Sequence, residues 1–376
     1  MTPTKVKSSP IYGIDILRVA SATIVMVYHF TFWHWTRGQS VLKSIAKFRY
    51  PSLISWDFGW VGVEIFFVIS GLVISRSINN NSPKEFIISR VRRLVPGVWV
   101  CATYTLLIFV FILHFNFSQT FRAYLGSLFF WPFLSIDGVY WTLGIEISFY
   151  ALMYFLIRAR RVENIEAVVV MFGAVSGAFW VFALGLATFT HGATGTGGLV
   201  QMLVLKAEGN RILQLALIPH GCLFALGVVL DRAASDGQWS RRLLVLIALA
   251  AACALEIVGQ NSIITRASGI SLSPLPALLV WSSAAALVVA SLLLNGRVSR
   301  FVFPIRQQIA TFGKLTYPLY LTHNSTVFLT VAVLGDAIGS WSIPAGMVGA
   351  FLVAFLIQAG PEKWLRQILD RVLAVP

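Results

Sequence analysis

Apolar positions along this chain recur in runs of about twenty residues, the length a helix needs to cross the hydrocarbon core of a bilayer. Ten such runs, bounded by charges, Pro, Gly and polar clusters, fall near 14–34, 57–75, 95–114, 139–157, 166–187, 212–230, 243–259, 274–294, 316–334 and 343–360. They predict an all-α, polytopic integral membrane protein with about ten transmembrane helices, its residues 1–376 forming a single membrane domain. The stretch "TFRAYLGSLFFWPFLSIDG" is aromatic but short and holds Arg122 and Pro132, so it reads as a re-entrant or interfacial segment. In "SPKEFIISRVRRLVPGVW", Phe86, Ile87, Val91, Leu94 and Val95 keep helical spacing beside Lys84, Arg90, Arg92 and Arg93, the pattern of an amphipathic segment on the inner face.

The basic residues orient this array. With a cytoplasmic N-terminus, the inner segments hold Lys5 and Lys7, then Arg76 to Arg93, Arg158 to Arg161, Arg232 to Arg242, Arg297 to Lys314, and Lys363 to Arg371. Both termini are therefore expected in the cytoplasm of a cell whose inner (plasma) membrane holds the protein. The loop 35–56, with Arg37, Lys43, Lys47 and Arg49, is the one discordant outer segment and suits an anionic substrate or lipid headgroups. No long soluble domain is expected at either end.

A chain that is 57% hydrophobic and 12% charged lies outside soluble globular usage, where about a quarter of residues are charged. The net charge of +14 does not point to nucleic acid, because the basic residues lie between apolar runs and form no basic domain. Cys101, Cys222 and Cys253 sit inside apolar stretches without metal-ligand spacing, so neither a disulfide framework nor a metal site is expected.

Ionisable residues within spans cost roughly 2.5–3.5 kcal/mol each, and this makes them functional candidates. Arg18 and His29 are eleven residues apart, close to three helical turns, so they share a face about 16 Å apart along the axis. Asp15 lies three residues before Arg18 and can pair with it, as an interfacial pair or as part of a site. Glu64 sits among Val, Ile and Phe ahead of the small pair Ser70 and Gly71, and Glu146 lies near the outer end of the fourth run beside Trp141 and Thr142. In "KLTYPLYLTHNS", Pro318 is expected to kink or delay the helix, while Tyr317, Tyr320, His323 and Asn324 supply hydrogen-bonding groups.

An Arg followed by ten residues and a His in the first run, then "GVEIFFVISG", "RRLVP", "WTLGIE" and "YPLYLTH" in this order, resembles the acyltransferase-3 family of integral membrane acyltransferases. Within it, the chain is similar to bacterial members that O-acetylate exopolysaccharide, lipopolysaccharide or lipo-oligosaccharide. The resemblance spans nearly the whole chain. It implies a cytoplasmic acyl-CoA donor, acetyl-CoA first, and an essential Arg and His matched here by Arg18 and His29. Glu64, Glu146 and His323 as catalytic candidates, and the basic run Arg90, Arg92 and Arg93 as a donor site, follow from it. Glu64 stands where many relatives have Asp, and the extracytoplasmic esterase-like domain that some relatives append is not expected here, so a stand-alone enzyme is the expectation.

A thioester is already activated, so transfer needs an acceptor hydroxyl made nucleophilic, a site for charge on the carbonyl oxygen, and exclusion of water. His29 can be the general base, or can accept the acyl group as an acyl-imidazole and hand it outward. Glu64 or Glu146 can orient it. Arg18 and Arg90 to Arg93 would hold CoA phosphate at the inner face. The partners implied are the bilayer, acyl-CoA and a glycan or lipid-linked glycan. A transporter or flippase is the competing class, against which no pair of broken helices in matching halves is evident; a small-molecule acceptor such as a macrolide is the other alternative.

Overall fold

The computed structural model describes residues 10–37, 40–48, 56–78, 82–189 and 209–373. Lys5, Lys7 and Arg49 lie outside the described residues. Helices account for nearly all secondary structure, and there is no strand among the described residues.

The long helices in chain order are α1 (Tyr12–Tyr28), α2 (Val61–Ile78), α3 (Pro83–Leu107), α4 (Trp141–Arg158), α5 (Ile165–Phe189), α6 (Gly221–Asp236), α7 (Trp239–Ser268), α8 (Leu275–Leu293), α9 (Arg306–Ile338), α10 (Ser342–Ala359) and α11 (Pro361–Leu373). Among the described residues eight stretches are long and apolar enough to cross a membrane, and the last of these, Phe303–Leu373, contains both α9 and α10. The sixteen-residue α6 is shorter than those stretches, yet Gly221 to Asp231 are all buried. Its place is inside the bundle, against α2 and between α5 and α7.

Three boundaries differ from the sequence expectation. The run near 212–230 is not one helix: a short helix, Arg211–Leu215, is followed by a turn in which Leu217 has φ +61°, and α6 starts only at Gly221. Pro219 has no N–H to continue the ladder, and its carbonyl instead accepts from Ser176 Oγ (2.8 Å) and Trp180 Nε1 (2.9 Å). Next, the amphipathic segment at 84–95 and the span after it form the single helix α3. It begins with a capping box in which the Glu85 amide donates to Ser82 Oγ (3.2 Å) and the Ser82 amide to Glu85 Oε2 (2.8 Å). Finally, Pro318 does not delay α9, which starts at Arg306 and runs through it. The aromatic segment after α3 is a twelve-residue helix, Phe117–Leu128, followed by turns, and is not a span.

One continuous core joins buried residues from Ile14 to Ile357. Its tightest seam is between α2 and α6, where a Cβ on Gly71 would lie 2.2 Å from the Phe224 carbonyl oxygen and one on Gly227 would lie 2.0 Å from that of Val68. Two glycines facing the opposite backbone let these helices touch directly. Helix α1 packs between α2 and α9, which places its polar stripe inside the bundle.

Candidate active site

Arg18 and His29 line two different cavities. One, of about 820 Å³, is lined by His29, His34, Arg37, Glu64, Asp137 and Asn324, with four tryptophans, Trp33, Trp60, Trp131 and Trp141, in its wall. The other, of about 790 Å³, is lined by Arg18, Arg93, Lys314, Lys363 and Arg366, five basic side chains, against three acidic ones, Asp15, Glu146 and Glu362. The two stand back to back: Val63, Leu143 and Tyr320 belong to the walls of both. Thr142 Oγ1 donates to the Tyr320 hydroxyl at 3.3 Å and braces this septum.

In the His29 cavity the helix geometry is unusual. After α1 the backbone passes through a π turn over His29–Trp33 before one more helical turn, His34–Thr36. In a regular helix residues five apart point about 140° away from each other; the wider π turn brings the His34 ring centroid to 5.7 Å from that of His29.

The hydrogen bonds assign the tautomers. His323 Nδ1 lies 2.8 Å from the Tyr320 carbonyl oxygen, which only accepts, so Nδ1 carries the proton and Nε2 has the lone pair. His323 Nε2 is 3.0 Å from His29 Nδ1, so His29 donates through Nδ1–H. His29 Nε2 is then the basic nitrogen. A second chain runs beside it. Asn324 Nδ2 donates to Asp137 Oδ1 (3.0 Å), which turns Asn324 Oδ1 toward His34 Nε2–H (3.2 Å), and the Ser40 hydroxyl donates to His34 Nδ1 (3.3 Å). Burial pushes the Asp137 carboxyl up from its ordinary value, opposed by bonds from the Val139 amide and Asn324.

The other candidates are distributed between the two ends. Glu146 is in the Arg18 cavity, where its carboxylate accepts from Tyr150 and from Ser70 Oγ (3.4 Å) and lies 4.0 Å from Arg93. Asp15 pairs loosely with Arg18 at 3.9 Å, and Arg18 Nε is buried without a protein acceptor. Of the basic run, Arg93 reaches the cavity. Arg90 is buried over the rings of Phe86 and Tyr150, and Arg92 pairs with Asp370 of α11 at 2.7 Å. Glu64 lines the His29 cavity from α2 and clusters with His220 and Glu256. His34, Asp137, Lys314, Lys363 and Arg366 were not singled out by spacing, because their sites are assembled by contacts between distant helices.

Long apolar helices packed around one basic and one aromatic, histidine-bearing cavity define a multi-pass membrane protein. The chain belongs to the acyltransferase-3 family, whose profile, described as an acyltransferase domain, matches residues 11–359. It is 37% identical over 106 residues, 25% of this chain and 32% of the relative, to exopolysaccharide production protein ExoZ of Rhizobium meliloti (strain 1021). It is 28% identical over 201 residues, 46% of this chain and 29% of the relative, to peptidoglycan O-acetyltransferase OatA of Listeria monocytogenes serovar 1/2a. The matches cover about a third of the length of these relatives. No solved structure matches the chain.

Proposed function

We propose that this protein is a membrane O-acyltransferase that moves an acetyl group from cytoplasmic acetyl-CoA to a hydroxyl of a cell-surface glycan. The observation that carries the reading is the pair of cavities abutting at Val63, Leu143 and Tyr320, one basic and one holding a histidine with a defined free nitrogen. The family membership supports the same class, as do the names of the two relatives, an exopolysaccharide production protein and a peptidoglycan O-acetyltransferase.

The Arg18 cavity takes the donor. Its excess of Lys and Arg suits the phosphates of CoA, and Arg18 Nε retains a donor for them. The positive-inside pattern supports reading this end as the cytoplasmic one. The His29 cavity takes the acceptor. Its tryptophans offer flat faces for the C–H surface of a sugar, and Arg37 and Arg211 add positive charge for an anionic or lipid-linked glycan.

For transfer, the thioester reaches the septum and the acceptor hydroxyl approaches His29 Nε2. That nitrogen takes the hydroxyl proton as the oxygen attacks the carbonyl carbon; the C–S bond breaks and the thiolate recovers a proton, giving ester and CoA. His323 holds the ring and stabilises its cation, the part a carboxylate often plays. Walls of Val, Leu and Tyr at the septum keep water from the thioester.

Full-length protein in proteoliposomes, given radiolabelled acetyl-CoA and surface polysaccharide, is expected to form base-labile acetyl esters. His29→Ala should bind CoA and transfer acetyl about 10²–10⁴-fold more slowly. Equal transfer by wild type and His29→Ala would sink the proposal.

A further inference from the structure

Away from both histidine chains, three helices bring together a group of ligating side chains. Glu64 of α2, His220 at the start of α6 and Glu256 of α7 are all buried, and one ligand atom from each lies within 4.8 Å of the others. His220 Nδ1 is 2.6 Å from Glu256 Oε1, and the Cys222 thiol donates to Glu256 Oε2 at 2.9 Å. The Cys253 thiol lies next to that of Cys222.

We propose that Glu64, His220 and Glu256 bind one divalent transition-metal ion, zinc by ligand preference, with the Cys222 thiol orienting the Glu256 carboxylate from behind. Charge favours a dication here. Two carboxylates and a neutral imidazole around a 2+ ion give no net charge, whereas two ionised carboxylates in a dry interior repel each other. The short His220–Glu256 contact already holds two of the three ligand side chains together.

The site is rigid before any ion arrives. Both bonds to the Pro219 carbonyl fix the turn that presents His220, and a Cβ on Gly221 would meet the Phe172 carbonyl oxygen at 2.8 Å, so α6 sits directly on α5. The Cys222 bond to Oε2 fixes the Glu256 rotamer, the second layer of support that ligating carboxylates need. An entry path exists through the His29 cavity, whose wall includes Glu64 and Gln260. Since the ligands come from α2, α6 and α7, the ion would pin the helices that form this wall, and His220 stands 5.8 Å, ring to ring, from the cavity residue Trp141. The proposal stands independently of acyl transfer.

Full-length protein in detergent, stripped with chelator and then dialysed against Zn2+, should retain about one zinc per chain by elemental mass spectrometry, with a raised thermal midpoint. The double variant Glu64→Gln, Glu256→Gln should hold no zinc, and Cys222→Ser should keep it, because a hydroxyl still donates to Oε2. Co2+ added to wild type should give a d–d spectrum that fades on acidification. Absence of stoichiometric zinc in folded wild-type protein overturns the proposal without reference to any variant. So does equal zinc retention in the double variant.

Discussion

Tyr320 serves His323 through its backbone and the septum through its side chain: its carbonyl accepts the His323 Nδ1 proton at 2.8 Å, while its ring closes the wall between the cavities. The residue that fixes the basic nitrogen of His29 therefore also stands in the wall between the two cavities. Tyr320→Phe keeps the carbonyl and loses only the Thr142 bond, a net effect of about 0.5–1.5 kcal/mol, so turnover should fall by no more than about tenfold. Leu143→Trp, which fills the septum, should leave CoA binding by calorimetry intact and stop transfer.

His29 and His323 should separate kinetically. His29→Ala removes the base itself and is expected to lower turnover by about 10²–10⁴. His323→Phe keeps volume but frees the His29 tautomer. Its turnover should fall less, with the donor KM unchanged and the pH–rate profile altered. An unaltered profile in that variant would remove His323 from the mechanism.

Arg93 and Arg92 are neighbours in sequence with opposite surroundings. Arg93 lines the Arg18 cavity, so Arg93→Ala and Arg18→Ala should each raise the KM for acetyl-CoA, the effect shrinking at high ionic strength. Arg92 makes a partly exposed pair with Asp370, worth at most about 1 kcal/mol, and Arg92→Ala should leave donor kinetics unchanged.

Gly71 and Gly227 set the distance between α2 and α6. Alanine at either position places a methyl group on the facing backbone, and each variant is expected to lose about 1–3 kcal/mol by thermal unfolding in detergent. The double variant should lose less than the sum, since the first substitution already separates the helices.

Asp137 gives a pH prediction. Burial raises its carboxyl above the ordinary value, so the folded protein binds that proton more tightly than the unfolded chain, and the ionised form destabilises the fold at neutral pH. Asp137→Asn keeps an oxygen for Asn324 and the Val139 amide and removes the charge. The variant should melt higher than wild type at neutral pH. Its advantage should vanish as pH falls below about 3, under the ordinary Asp value, where the wild-type carboxyl is protonated in both states.

Local physics made the helices legible in the sequence. Hydropathy runs marked the spans, and a spacing of eleven residues placed Arg18 and His29 on one interior stripe, because both signals depend only on residue order and helical period. The same period hid His34, since a regular helix turns it away from His29 and only the π turn brings it back. It also drew one span across 212–230, where Leu217 and Pro219 interrupt the helix and so let His220 meet Glu256. The contact between His29 and His323 joins residues 294 positions apart, and the Glu64, His220 and Glu256 cluster draws on three helices. Tertiary packing alone decided those contacts, the tautomer that leaves His29 Nε2 basic, and the septum between the cavities. Hydrogen-bond direction and shared walls depend on which faces meet, and residue order does not contain that.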